Sequence, residues 1–414
     1  MGWSSLKIKI AKVRRLLFEM LTSSVDFILW VLHFPVKNPG GHSDGTSVIF
    51  LGESLPPRIS RLAKWLKRSQ NYRIILCAHR IHFVKHFAGD EWDVIYLYRN
   101  KYHLRRMARH FNESAIIHAY APKSYYPDLV RGWVDRPFII DYQDVYASYY
   151  GENPEFRWLQ KELPHEKNCL LHSDGIVAHS LEPNVVLRRY NATKPPALFF
   201  PLYCDNDQFI TPNKVFRTED IHLVYAGGVA GSFRNKAHFG SIMFHDLIKT
   251  LSEQKIHFHI YPSPANFKGD FDEYKAIDEV NPWFHFHDPV AQDQLHKELA
   301  KYHFGIIPFF KKDAGLSLEK TKYATALKLF NYIEAGLPVI VARDVYYQSW
   351  ITERYHAGIA IQADDIRRIR EIIEGVDYEG LVAALIANRE KISLKKHIPR
   401  LVQFYQQFLP TLSP

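Results

Sequence analysis

From Thr46 onward the chain alternates short, unbroken apolar runs with stretches of helical spacing, and this alternation constrains the fold more than any other feature. "TSVIFLG", "YRIILCA", "DVIYLY", "SAIIHAY" and "PFIIDY" are β-rich runs bounded by polar residues. Between them, "PRISRLAKWLKR" and "YHLRRMARHF" carry helical patterns. "DGIVAHS" and "ALFFPL" continue the series after the longer helical stretch "EFRWLQKELPHEKNCLLH". Runs that are apolar throughout, rather than at every second residue, belong to strands covered on both faces. That is the signature of a parallel sheet in an α/β layer fold.

The polar stretch "PLYCDNDQFITPNKVFRTEDIH", punctuated by Pro and Asn, interrupts the alternation and reads as a linker. The pattern then restarts with "IHLVYAGG", "HFHIYPS", "WFHFHDPV", "FGIIPF", "LPVIVA" and "AGIAIQ". The expectation is an α/β protein of two doubly wound, Rossmann-like domains. Residues 1–42 form a basic amphipathic segment, 43–206 the first domain and 207–397 the second. Residues 398–414 form a closing helix that crosses back to the first domain. Open sheets of this kind bind ligands outside the carboxyl ends of their strands.

A length of 414 residues is enough for such a pair. The formal charge of +9 favours anionic partners. The basic residues do not form one stripe with interleaved aromatics, which argues against nucleic acid. Three widely spaced cysteines, Cys77, Cys169 and Cys204, argue for a reducing, cytoplasmic setting and against a disulfide framework or a cysteine zinc site. They read as small core residues. In "LKIKIAKVRRLLFEML", Leu6, Ile10, Val13, Leu17 and Leu21 share a helical face, and Lys7, Lys12, Arg14 and Arg15 fall mostly opposite. The following "VDFILWVLHFPV" is too short to span a bilayer and contains Asp26 and His33. Three readings stand: a helix packed on the body, docking on an acidic membrane surface, or, last, a true span.

Two motifs carry chemistry. In "VYAGGVAGSFRNK" a strand runs into Gly227 and Gly228, with Gly231, Arg234 and Lys236 behind. Glycines let a backbone approach a phosphate, and cations supply charge-assisted hydrogen bonds. A strand-to-helix turn that merely needs glycine is the plainer alternative. In "ALKLFNYIEAGLPVIVA" an amphipathic helix leads into a buried strand. Thr325 is the expected N-cap and Lys328 lies in the first turn, where a cation opposes the helix dipole unless both share an anion. Asn331 lies about one turn further on a similar face. Gly336 closes the helix and Pro338 starts the strand.

"KLFNYIEAGLPVIVA" resembles the donor-site signature of the GT-B glycosyltransferases, in particular the large retaining family numbered four. "HLVYAGGVAG" resembles the first strand and glycine loop of that family's C-terminal domain, and "PLYCDNDQF" the stretch before its interdomain linker. "HKELAKYHFGIIPF" resembles the helix and strand before the donor loop. The resemblance implies a nucleotide-diphosphate sugar held by the second domain and a glycan or lipid-linked acceptor held by the first. It places Lys328 and Arg234 on the diphosphate, with backbone access at Gly227 and Gly228 and further donor contacts at Lys236, Thr325 and Asn331. The family usually has Glu where this chain has Asn331, so the ribose contact is weakened; Glu334 sits where the family often has Ala. In "IIHAYAP", Tyr120 takes the place of the second residue of the family's His-x-His pair, after His118. In "IIDYQDVYASYYG", Asp141 and Asp144 are expected at the cleft, where they orient sugar or acceptor hydroxyls. In "FLGESLPPR", Gly52 and Arg58 are expected near the acceptor. On this reading Asp144, Tyr120 and Lys328 are catalytic, and Gly52, Arg58, His118 and Asp141 bind acceptor.

The implied activity is a retaining, metal-independent hexosyltransferase with no cofactor beyond its donor. Its setting would be cell-surface polysaccharide or glycolipid synthesis on the cytoplasmic membrane face. A non-catalytic nucleotide-sugar or glycan-binding protein on the same fold, or a sugar-nucleotide epimerase, are the alternatives.

Overall fold

The computed structural model describes residues 46–69, 72–80, 89–142, 144–191, 193–213, 215–264, 266–308, 322–323 and 325–409. The expected N-terminal amphipathic segment lies outside them. Each of the quoted apolar runs from "TSVIFLG" to "ALFFPL" and from "IHLVYAGG" to "AGIAIQ" contains a strand. β1 (Ser47–Gly52), β2 (Arg73–His79), β3 (Val94–Tyr98), β4 (Ile116–Ala121), β5 (Phe138–Tyr142), β6 (Gly175–Ala178) and β7 (Ala197–Phe199) form one sheet in the order β3-β2-β1-β4-β5-β6-β7. β8 (His222–Gly227), β9 (His257–Pro262), β10 (Phe284–Phe286), β11 (Phe304–Ile307), β12 (Val339–Ala342) and β13 (Gly358–Ile361) form a second, ordered β10-β9-β8-β11-β12-β13. All neighbouring pairs are parallel.

The continuous apolarity is explained by burial on both faces. In β1, Val48 and Phe50 enter one core cluster, and Ile49 and Leu51 the other. One cluster is continuous from the first sheet through Phe200, Tyr203 and Cys204 to Val224, Leu329 and Ile333 of the second unit. All three cysteines are free and buried.

The connection between the sheets is tied down. The Cys204 N–H donates to the Ile392 carbonyl (2.9 Å), and the Leu394 N–H donates back to the Cys204 carbonyl (2.8 Å). The chain then enters the closing helix Leu394–Gln406, whose Tyr405 hydroxyl lies 2.5 Å from His118 Nδ1 on β4. Phe404 and Phe408 of the same stretch crowd Gly175 at the start of β6; a methyl group there would stand 3.0 and 2.8 Å from their rings. The last helix therefore packs on the first sheet. None of the helices in the described residues is long and apolar enough to cross a membrane.

Candidate active site

In each sheet the strand order reverses once, between β1 and β4 and between β8 and β11. Crevices open at such switch points, at the carboxyl ends of the strands. The two switch points of this chain differ sharply in what fills them.

At the second, β8 ends in Gly227 with φ +152°, a conformation that L side chains rarely adopt. A methyl group on Gly227 would lie 3.0 Å from Lys328 Cε and 3.0 Å from the Tyr225 hydroxyl. The Lys328 side chain is therefore laid against the end of β8, its ammonium 5.1 Å from the centre of the Tyr225 ring. Among the described residues, Ile242 alone comes near a notional methyl on Gly228, at 3.7 Å, an ordinary van der Waals contact.

Lys328 is in the first turn of the helix Leu327–Glu334. The expected N-cap is displaced by one residue. Ala326 is the cap and has no side-chain acceptor, while the Thr325 Oγ1 is buried without a hydrogen bond. No acidic residue occupies the first turn. A cation and a helix N-terminus thus point their positive potential the same way, with no carboxylate of that turn to offset it. At the other end the Gly336 N–H donates to the Ile333 carbonyl and the Leu337 N–H to that of Tyr332, with Gly336 at φ +66°. This is the Schellman closure, and it fixes where the helix stops.

Asn331 departs from its expected role. It is buried, and its Oδ1 accepts from Arg61 Nη2 (3.3 Å) and Gln292 Nε2 (3.4 Å). Glu334, fully buried, accepts two hydrogen bonds from Arg61, 2.7 Å from Nη1 and 3.0 Å from Nη2. It also accepts the Asp205 N–H at 2.7 Å. Arg61, on the helix Pro57–Ser69, thereby clamps the helix Leu327–Glu334 to the first domain, while Glu334 ties in the linker at Asp205. The sequence reading missed it, although a carboxylate on a buried helix face calls for such a partner.

The glycine loop is held by carboxylates. Gly231 and Ser232 donate their N–H groups to Asp270 and Glu273, at 3.1 and 2.7 Å. The Nε and Nη2 of Arg234 are committed to Asp270, at 2.8 and 3.0 Å, and its guanidinium lies among the rings of Phe233, Phe239 and Phe267. The expected diphosphate contact of Arg234 would therefore share this guanidinium with Asp270. Lys236 is exposed at the start of the next short helix.

The first switch point is closed. The Tyr120 ring occupies the space beside Gly52, where a methyl would come within 2.3 Å of it, and the Tyr120 hydroxyl donates to the Ser54 carbonyl. Gly52 is glycine to admit Tyr120, and Tyr120 is a packing residue whose phenol burial pushes well above its ordinary range. Both corrections have one cause: the aromatic ring fills the crevice. Arg58 donates to Asp141 (3.0 Å) and to the Phe200 and Pro201 carbonyls, and His118 Nε2 lies 3.2 Å from the same carboxylate. All three are buried. Burial alone would raise the Asp141 carboxyl, but Arg58 and then His118 hold it below its usual value. These expected acceptor contacts form an internal brace instead.

Asp144 alone of the first-domain set stands half-buried beyond the end of β5, accepting from the Tyr149 hydroxyl. Around it lie groups that the sequence reading passed over. His179, just past β6, is buried with Nδ1 unpartnered, and burial followed by Arg58 pushes it down to about 4. Glu182 accepts the Val145 N–H and keeps its other oxygen unpartnered; burial, then Asp144, pushes its carboxyl well up. Glu166 accepts the N–H groups of Tyr146 and Ala147, at 2.6 and 2.9 Å, and burial raises it to about 7. The signal for His179 was its place at a strand's carboxyl end.

Residues 239–403 match the family described as glucosyltransferase 3-like, C-terminal domain; the match includes Lys328 and begins after the glycine loop. Comparison with curated proteins gives no match. Among solved structures, Anabaena HepE in complex with UDP and glucose superimposes with a TM-score of 0.63, at 12% identity over 87% of this chain and 100% of its own. A glycosyltransferase from Rickettsia africae gives 0.59 at 12% identity, covering 89% and 100%. Sucrose-phosphate synthase from Thermosynechococcus elongatus gives 0.57 at 12%, covering 87% and 98%. The chain has the GT-B fold. Within that fold the second domain carries the match to a glucosyltransferase domain, over residues 239–403.

Proposed function

We propose that the protein transfers a sugar from a nucleotide-diphosphate sugar to a glycan or lipid-linked acceptor, in cell-surface polysaccharide or glycolipid synthesis. The observation that carries this reading is Lys328 laid on Gly227 at the switch point of the second sheet, beside a helix start without an acidic first turn. The bound UDP and glucose of the Anabaena relative are ligands of the same class.

In the proposed reaction the diphosphate leaves with developing negative charge. Lys328 and the helix-start N–H groups stabilise that charge without a catalytic metal. Retention follows from attack on the face the diphosphate leaves, with the departing phosphate taking the acceptor proton. Asp144 orients the acceptor hydroxyl. The basic N-terminal segment holds the enzyme on the cytoplasmic membrane face.

The test is incubation with a panel of nucleotide sugars, with and without membrane lipid extract, following nucleoside diphosphate release. Extract-dependent release supports the transferase. Binding without turnover across the panel means a binder, and an altered donor sugar means an epimerase. Liposomes with acidic lipids should retain the full chain better than one lacking residues 1–42; equal retention removes the membrane part.

A further inference from the structure

The second sheet carries a histidine array at its β8–β9–β10 edge, far from the donor crevice. His222 and His257 are direct neighbours on β8 and β9, and their rings stack 4.5 Å apart at 10°. His259, His285 and His287 extend the array, with His259 and His285 stacked at 4.4 Å and His259 and His287 at 5.3 Å. Asp220, two residues before His222, turns back to it. Its Oδ1 lies 2.9 Å from His222 Nε2 and 3.7 Å from His257 Nε2.

We propose that Asp220, His222 and His257 bind a divalent zinc-class cation. Zinc bonds of about 2.0–2.1 Å in tetrahedral geometry put neighbouring ligand atoms about 3.3 Å apart. The two observed separations bracket that value, and the three ligand atoms all lie within 4.8 Å of one another. Two imidazoles and a carboxylate leave a fourth position for water, and Asp220, 59% exposed, keeps the mouth open to solvent. Sharing an ion requires the stacked rings to hinge towards each other, which their partial exposure allows.

The second ring nitrogens are already held. His222 Nδ1 lies 2.8 Å from His259 Nε2, and His257 Nδ1 lies 2.9 Å from His285 Nε2. When each Nδ1 carries the proton and donates it along this array, both Nε2 lone pairs are presented to the ion. His259 passes the same pattern on to His287 Nε2 at 3.0 Å. Such outer partners fix the tautomer of metal-binding histidines. In the absence of metal, the proton between His222 Nε2 and Asp220 takes the ion's place, and the array reverses its tautomers. β8 runs six residues from His222 to Gly227, so the site is about 16 Å from the donor crevice. Its role is to pin the turn entering β8 to β9, not to take part in transfer.

The experiment is calorimetric titration of the full chain with Zn²⁺, together with thermal unfolding with and without Zn²⁺. The wild type should show one site at least tenfold tighter than its remaining histidines, and a higher Tm with metal. His222→Gln/His257→Gln should lose that site, while His172→Gln, an exposed histidine elsewhere, keeps it. Should the double variant fold poorly, Asp220→Asn serves at an exposed position, with binding at least tenfold weaker and a smaller Zn²⁺ effect on Tm. Uptake by the wild type no tighter than by the double variant, or a tight site that survives Asp220→Asn unchanged, overturns the proposal.

Discussion

Replacing Arg61 tests whether the clamp between the two domains does what its geometry implies. Arg61→Met leaves Glu334 buried with the Asp205 N–H as its donor, and removes the 3.3 Å contact to Asn331. Breaking one side of a buried ion pair typically costs about 3–5 kcal/mol, because the remaining charge is stranded. For a cooperative unit of 150–250 residues that corresponds to a fall in Tm of roughly 6–20 °C. Replacing both partners, Arg61→Met with Glu334→Leu, should recover most of the loss. Only the orphaned Asp205 N–H then remains, at about 1–3 kcal/mol, since Gln292 still donates to the Asn331 carbonyl. The assay is urea unfolding of the wild type, both single variants and the double variant, which completes a mutant cycle. Additive single effects, or an Arg61→Met cost below about 1 kcal/mol, would refute the reasoning that the pair is coupled and desolvated.

Three further outcomes follow from the same geometry. Glu166, raised to about 7 in the folded state, contributes stability that is complete below its unfolded value near 4.5 and is lost as pH rises through about 7. Wild-type stability between pH 5 and 8 should therefore fall by on the order of 2–3 kcal/mol relative to Glu166→Gln; parallel profiles would remove Glu166 as the cause. Tyr120→Phe should lower stability by about 1 kcal/mol and leave turnover within a few-fold, and a loss beyond a hundredfold would restore a catalytic role. Gly227→Ala, whose methyl meets Lys328 Cε at 3.0 Å in a strained backbone, should raise the donor KM more than it lowers Tm; kinetics like the wild type would separate Lys328 from the donor.

Strands were legible because their signal is local: continuous apolar runs such as "RIILCAH" specify two-sided burial wherever they sit. The positions of Lys328 in a first turn and Gly227 at a strand end were legible for a related reason, since each is set within a few residues. The brace Arg58–Asp141–His118 was misread because its partners are 83 and 23 residues apart, and only the fold shows that they satisfy one another. Arg61 and Glu334, 273 residues apart, were opaque in the same way. The histidine array left a trace in the alternation of "HFHIYP" and "FHF", but only the β8–β9–β10 register brings those rings together.

If Lys328 holds a nucleotide-sugar donor, nucleoside diphosphate release by Lys328→Ala must show it. Removing a positioned charge that meets the leaving group costs about 2.7–4 kcal/mol, roughly 10²–10³ in rate. With the donor that the wild type turns over, the variant should lose that much release and bind the donor more weakly, at an unchanged Tm. Release and binding equal to the wild type would contradict the account.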